Sequence, residues 1–428
     1  LRTFNYSQEV FDSYEIMGSK VKMRLASKLA IAILPGVILV ATQTLASPGR
    51  QTPQLNASVV DLSCFAWQQD ETASVFDYQC DNTYYPRATS VEKSRLGDAY
   101  YYGDGVSQDY GEAAKWYRKA AAQGDAYSQF SLGYMYSKGE GVPQDAWLAH
   151  KWLSKAADRN FAAAQYSLAD MYYYGDGVPV DYKKAIKWYR KAAEQNHAFA
   201  QYSLGFMYKQ GIGLKQDYGL ALKWLQKAAD QGHPEAQASI GQMYLEGNGV
   251  NRNPATAFEW YFKSAMQGNA GAQNNIGYMY RTGLGTEQDM DRALMWYRNS
   301  ARQGYATAQA SLGFMYQRGI GVEKNFAKAL RWYQLAGNQG ELSAQFNLGL
   351  MYLEGMGVAR NMNKAAQWFL AAARQGDAES QYYVGTLYQN GWGVARNIQK
   401  ALLWFRLAGE AGHDKAKHEI DLLAASSA

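Results

Sequence analysis

The side chains best suited to metal or acid–base chemistry are five histidines: His150, His197, His233, His413 and His418. His197, His233 and His413 share one register, separated by 36 residues or a multiple of it. Zinc ligands sit about 2 Å from the metal, and equivalent positions in successive structural units are too far apart to share one. His413 and His418 are five residues apart, which puts them on different faces of a helix. The expectation is solvated turn histidines and no metal site. Asp98 with Asp104, and Asp170 with Asp176, are paired acids that straddle a helix end and a turn; solvated surface is expected there too. The recurrent Gly-x-Gly pairs follow helical patterns rather than strands, the wrong context for a phosphate cradle. No nucleophile elbow, P-loop or His-Glu-x-x-His run is present in the sequence. The chain therefore reads as non-enzymatic, with no catalytic residue and no cofactor.

Composition narrows the class further. The 428 residues are 47% hydrophobic and 14% aromatic, which excludes a disordered or collagen-like chain. A net charge of +5 forms no dense basic stripe, so nucleic acid is not an expected partner. Residues 29–40 form an apolar run, preceded by Arg24 and Lys28 and followed by Thr44-Leu45-Ala46. That is the order of a secretory signal over 23–46, and it is too short for a membrane span of roughly 20 residues. Cleavage is expected after Ala46, leaving no stable membrane anchor and a periplasmic or secreted chain. Met23 is the natural start in this reading, with 1–22 a non-native upstream extension. An oxidising compartment makes a Cys64–Cys80 disulfide the expectation for the polar segment 47–90, stabilising by roughly 3 kcal/mol. The spacing of these two cysteines is not that of a C-x-x-C redox pair.

The elements that must carry any site are set by a period. Tryptophan stands at 116, 152, 188, 224, 260, 296, 332, 368 and 404, every interval being 36. Glycine pairs recur in the same register, from Gly103/Gly105 to Gly391/Gly393, and tyrosine recurs from Tyr100 to Tyr388. In residues 199–234, Ala200, Leu204, Met207, Tyr208 and Gly211 trace one helix face, and Gly211-Ile212-Gly213 breaks it. Asp217 then caps a second helix with the stripe Ala221, Trp224, Leu225 and Ala228, ended by Gly232. Asn160 and Asn196 replace that last glycine elsewhere, as residues that tolerate a left-handed backbone. Each tryptophan is read as a large apolar anchor. A unit this small cannot bury its own face, so stacked neighbours supply the core. The fold expected is a right-handed α-solenoid of nine helix-turn-helix repeats over 91–414, with 415–428 as a C-terminal capping helix.

The run Ala200-Gln201-Tyr202-Ser203-Leu204-Gly205-Phe206-Met207-Tyr208, then Gly211-x-Gly213, Asp217 and Ala221-Leu222-Lys223-Trp224, resembles the Sel1-like repeat (SLR), a relative of the tetratricopeptide repeat. Ala169 and Thr286 depart from the pattern. The resemblance implies protein–protein interaction, in roles such as envelope signalling, assembly or host-factor binding. One cysteine-rich branch of the family, with a disulfide inside each repeat, is linked to β-lactam binding or hydrolysis, and this array has no cysteine from 91 onward.

Comparing the nine units with one another singles out positions two residues off the core stripe of the first helices. A two-residue offset lies about 200° round the helix from Leu204, pointing away from the repeat's own core. Phe130, Tyr134, Tyr166, Asp170, Tyr202, Phe206, Tyr278, Phe314, Phe346 and Tyr382 occupy these positions and form a candidate concave groove. The competing reading is packing between first helices of adjacent units. Trp392, in the middle of a Gly-x-Gly turn, is a candidate tip contact, with half-buried turn packing as its rival. The sequence points to an exported scaffold or adaptor that binds a protein partner whose identity, like the oligomeric state, it leaves open. The alternatives are an envelope hydrolase or β-lactam-interacting protein, or a glycan-binding protein that stacks sugars on exposed aromatics.

Overall fold

The computed structural model describes residues 88–425, together with a two-residue antiparallel backbone pairing of Ile33–Leu34 with Val37–Ile38. Apart from that pairing, the expected signal segment and the Cys64–Cys80 disulfide lie outside the described residues. The chain divides into two compact units at Trp188/Tyr189. The first holds α1 (Ser90–Tyr102), α2 (Tyr110–Ala122), α3 (Ala126–Lys138), α4 (Ala146–Asp158) and α5 (Ala162–Tyr174). The boundary falls inside α6 (Tyr182–Glu194). The second unit holds α7 (Ala198–Gln210), α8 (Tyr218–Asp230), α9 (Pro234–Glu246), α10 (Pro254–Met266), α11 (Ala270–Thr282), α12 (Met290–Arg302) and α13 (Ala306–Arg318). It continues with α14 (Phe326–Asn338), α15 (Leu342–Glu354), α16 (Met362–Ala373), α17 (Ala378–Asn390), α18 (Ile398–Glu410) and α19 (Asp414–Ala425). Odd-numbered helices are the first of each repeat and even-numbered ones the second. Within each unit the pairs stack as an all-α solenoid.

Both helix ends follow from residue chemistry. Asp109, Asp145, Asp181, Asp217, Asn253, Asp289, Asn325, Asn361 and Asn397 each accept the backbone N–H three residues on, at 2.8–3.1 Å. These bonds satisfy one of the orphan donors of the first turn. First helices end on a left-handed glycine such as Gly211 (φ 72°), whose N–H donates to Met207 O at 2.8 Å. The second glycine of the pair has a further job. A Cβ on Gly393 would run into the backbone of Met362, and one on Gly177 into Ala146, at the start of the preceding repeat's second helix. Asn160 (φ 63°) and Asn196 (φ 65°) take the left-handed conformation where the terminal glycine is missing, as expected.

In each second helix the residue after the tryptophan is buried more deeply than the tryptophan itself. Tyr117, Leu153, Tyr189, Leu225, Tyr261, Tyr297, Tyr333, Phe369 and Phe405 are all buried, while Trp116 and Trp296 are buried and the other seven repeat tryptophans are half-buried. Glycine on the first helix explains this: a Cβ on Gly97, Gly277, Gly313 or Gly385 would strike the ring of Tyr117, Tyr297, Tyr333 or Phe405. The missing side chain lets that ring slide across the first helix. The tryptophan sits further out and can join repeats: Trp260 packs on a cluster built from α8 and α9 that includes Ala221, Leu225 and Ile240.

A buried polar ladder runs through the same core. The glutamine of each Ala-Gln or Ser-Gln start, from Gln129 to Gln381, donates through Nε2 to the carbonyl eight residues earlier, at 3.1–3.2 Å. Gln231, Gln267, Gln303, Gln339 and Gln375 in turn donate to the Oε1 of Gln201, Gln237, Gln273, Gln309 and Gln345, at 2.7–2.8 Å. These amides satisfy helix-end carbonyls that would otherwise be buried without a donor.

Candidate interaction surface

Aromatic residues at the fifth position of a first helix fill a gap between repeats. The ring of Phe130 meets that of Phe161, centroids 5.3 Å apart. Tyr202 stacks on His233 at 4.7 Å and 20°, and Tyr382 stacks on His413 at 4.5 Å and 18°. Each pair spans 31 residues of sequence, from the fifth position of one first helix to the N-cap of the next. The offset that turns these side chains from their own core turns them toward the neighbouring first helix. Phe130 (4% exposed) is therefore buried; Tyr166 (3%) and Tyr134 are buried too, which corrects the expectation of an open groove there. Tyr202, Phe206, Phe346, Tyr382 and Asp170 are half-buried. Phe346 touches Phe369 and Tyr383, both rings within 5.9 Å. Tyr278 (43% exposed) and Phe314 (37%) remain on the surface, with the Arg281 guanidinium 5.3 and 5.9 Å from the two ring centres.

Where the fifth residue is alanine, the gap stays open. Ala238 on α9 lies in a cavity of about 420 Å³, edged by Tyr202, Glu235, Ser239, Gln242, Glu246 and Asn275. Ala310 on α13, two repeats on, lies in one of about 230 Å³ edged by Arg281, Thr307, Ser311, Phe314, Ser343 and Asn347. The core tyrosines Tyr261 and Tyr333 belong to the walls of the two cavities. Tyr333 donates its hydroxyl to Gln317 Oε1 at 2.8 Å, and burial drives the phenols of Tyr261 and Tyr333 well above the ordinary tyrosine range. Both remain neutral hydrogen-bonding groups. Sequence comparison of the repeats had pointed to the aromatic residues; the signal for these cavities was the alanine at the same position, next to variable polar neighbours such as Ser239 and Ser311.

The histidines depart from expectation. His233 is 5% exposed, not solvated, lying between Phe199 (4.8 Å) and Tyr202, with Glu235 Oε2 3.2 Å from Nδ1. Burial first, and then the neighbouring His197, hold its pKa down to about 4. His197 is half-buried and caps α7 by accepting Ala200 N–H on Nδ1 at 3.3 Å; burial lowers its pKa to about 4 as well. His413 caps α19 in the same way and faces Glu379 at 3.0 Å, whereas His150 meets the Tyr172 hydroxyl at 3.0 Å. Asp98 is not solvated either: it accepts the hydroxyls of Tyr117 (2.7 Å) and Tyr127 (2.8 Å), and burial raises its pKa. Among the described residues, no group of three His, Cys, Asp or Glu side chains gathers to hold a metal, and no helix is long and apolar enough to cross a membrane. Trp392 is 45% exposed at its turn.

A family model for the Sel1 repeat matches nine consecutive segments, 94–125, 126–161, 162–197, 198–233, 234–269, 270–305, 306–341, 342–377 and 378–413. The chain belongs to the Sel1 repeat family. Among solved Sel1 repeat structures, the chain is 34% identical to one from Oxalobacter formigenes, with a TM-score of 0.56, over 72% of this chain and 89% of that one. It is 33% identical to a protective antigen of uropathogenic Escherichia coli strains displaying an SLR fold, with a TM-score of 0.53, over 79% and 80% of the two chains. Among curated proteins none matches. Sel1 repeat proteins generally mediate protein–protein interaction, and the fold is generally a non-enzymatic scaffold.

Proposed function

We propose that this Sel1 repeat chain is an exported, non-enzymatic adaptor that binds a partner protein on the first-helix face of its second unit. One observation carries the reading: exposed Tyr278 and Phe314 flank Arg281, and Phe314 and Arg281 edge a cavity at Ala310 that no side chain among the described residues fills. Aromatic residues and arginine are the types that dominate binding energy at protein interfaces, and a pocket beside them receives a partner's anchor. Export is supported by the apolar run at 29–40 behind Arg24 and Lys28. An E. coli relative described as a protective antigen fits that placement. Envelope signalling, assembly and host-factor binding are the roles open to such an adaptor.

The test is affinity capture by the full chain from envelope extract and host secretions, beside a Tyr278→Ala/Phe314→Ala variant of unchanged helicity. A protein held by the wild type and lost with the variant supports the reading. Equal capture by both removes the site from this face. Amino-terminal sequencing of chain recovered from the envelope and medium tests export, with a start near residue 47 expected and an unprocessed start in the cytoplasm overturning it.

A further inference from the structure

The first unit separates its charges. Its described residues carry twelve Lys and Arg side chains and twelve carboxylates, and balance as a whole. Eight of the cations, but only the carboxylates Glu112 and Asp158, lie on α2, α4 and α6 up to Trp188. With Lys115 set against Glu112 (2.5 Å), and Lys184 against the cap Asp181 (3.4 Å), these helices keep an excess of five positive charges. A pattern arranges them: a lysine one residue before the repeat tryptophan and another three after it, Lys115 and Lys119 on α2, Lys151 and Lys155 on α4, with Lys187 in the first place on α6. Residues four apart share one helix face. Lys119 is half-buried and the other four are exposed. The caps Asp109 and Asp145 stand six and ten residues before the two lysines of their helices. That is about 9 and 15 Å along the axis, roughly one and two Debye lengths in physiological salt. From α12 onward neither place holds a lysine.

The residue types select the partner. Protein interfaces deplete lysine, and recognition of nucleic-acid phosphates favours the planar fork of arginine. Both patterned places hold lysine on α2 and α4, and Arg118 beside them donates to the Tyr136 hydroxyl at 3.2 Å. Trp147, four residues before Lys151, continues the α4 line; it is 63% exposed, with Lys151 Nζ 5.0 Å from its ring. An exposed indole among lysines is the composition of a membrane–water interface, where the ring sits at headgroup level and long stems carry ammonium groups to lipid phosphates. We propose that the outer face of α2, α4 and α6 adsorbs to a bilayer surface rich in anionic phospholipid, with Trp147 entering the headgroup layer. Adsorption of this kind needs no membrane-spanning helix. The separation of charge within the unit, rather than the net charge of +5, supplies the attraction and orients the chain, with Asp104, Glu140 and Asp176 on the Gly-x-Gly turns instead of this face. The inference does not rest on the adaptor reading, whose surface belongs to first helices of the second unit.

Co-sedimentation of the full chain with vesicles tests the proposal. Phosphatidylcholine vesicles containing roughly a third phosphatidylglycerol are compared with pure phosphatidylcholine at physiological salt. The anionic vesicles are expected to bind the chain at least tenfold more strongly, and the binding to weaken as salt rises. Lys151→Glu/Lys155→Glu is expected to lower binding at least tenfold at unchanged helicity and melting temperature. Lys328→Glu/Arg331→Glu makes the same change of net charge at exposed places on α14 and is expected to leave binding within twofold. Trp147→Ala is expected to weaken binding about threefold or more with the salt dependence retained, because burial of a ring is not screened. Equal losses from the two charge variants would reduce the effect to net charge and overturn the inference. No preference for anionic vesicles, or binding untouched by Trp147→Ala, would overturn it as well. Duplex DNA or polyglutamate that displaces the chain from vesicles at matched charge concentration would assign the face to a soluble polyanion and overturn the bilayer.

Discussion

Tyr202 lies nearly flat on His233, ring centroids 4.7 Å apart, and Tyr382 repeats the arrangement on His413 at 4.5 Å, 180 residues further along. The tyrosine stands on one first helix and the histidine on the N-cap of the next, so the contact is a rivet between stacked helix pairs rather than part of one pair's core. Tyr202→Ala is expected to destabilise the second unit by about 2 kcal/mol, below the 3–5 of a fully buried aromatic because Tyr202 is half-buried. A double-mutant cycle with His233→Ala is expected to give a coupling of about 0.5–1.5 kcal/mol in urea unfolding. A coupling of zero would leave the stack without energetic meaning.

Acid is expected to loosen the same junction. His233 is neutral in the native state, its pKa held near 4 by burial, against about 6.5 in an unfolded chain. Between those values the unfolded chain binds the proton that the native chain refuses, so stability rises with pH through the window. It is fully present above pH 6.5, falls as pH drops toward 4, and levels off below. Two and a half units correspond to about 3 kcal/mol at most. The Glu235 carboxylate 3.2 Å away favours the charged ring and trims that figure. Urea midpoints across pH 4–7 are expected to show the slope, and His233→Asn, the residue found at the equivalent Asn269, to reduce it, leaving the share of His197.

The repeat pairs, their caps and the two asparagines with left-handed backbone were legible because each is a local property of residue type and period. What faced outward was not. The 200° offset of Phe130 and Tyr166 from the core stripe excludes only their own repeat, and both are buried all the same. The same offset at Tyr278 and Phe314 leaves the ring exposed. The difference lies in the position along the helix: Phe130, at the fifth residue, meets Phe161 on the next first helix's cap, whereas Tyr278 and Phe314 stand a turn later, at the ninth. The tryptophans drew attention by size, yet the space at Gly277 and Gly313 gives the inner place to Tyr297 and Tyr333. His233 carried no sign of burial in sequence, because His197 and His413 at the same position are more open.

The turn glycines separate two costs. Gly232 (φ 89°) has open space where a Cβ would go, so Gly232→Ala is expected to cost about 1 kcal/mol from backbone strain alone. Gly232→Asn is expected to cost only a few tenths of a kcal/mol, as Asn160 and Asn196 hold the same conformation. Gly393 (φ 69°) has the Met362 carbonyl where its Cβ would stand, so alanine there adds a clash to the strain. Gly393→Ala is expected to lower the thermal midpoint of the full chain more than Gly232→Ala, and the reverse order would refute the close approach of turn and helix.

The sharpest prediction concerns Tyr333 and Gln317. The phenol donates to the Gln317 amide oxygen at 2.8 Å in a buried setting. Tyr333→Phe strips a buried acceptor of its donor and is expected to cost about 1–3 kcal/mol, and Gln317→Leu, leaving the hydroxyl unpaired, a similar amount. The next repeat already shows the apolar solution, with Phe369 at the tyrosine's position and Leu353 at the glutamine's. Removing both polar partners together restores a satisfied core, since neither is left desolvated without a partner. The double variant Tyr333→Phe/Gln317→Leu is therefore expected to recover most of the loss of either single change in urea unfolding. Additive losses would mean that the hydrogen bond contributes nothing and that the two residues act through packing alone.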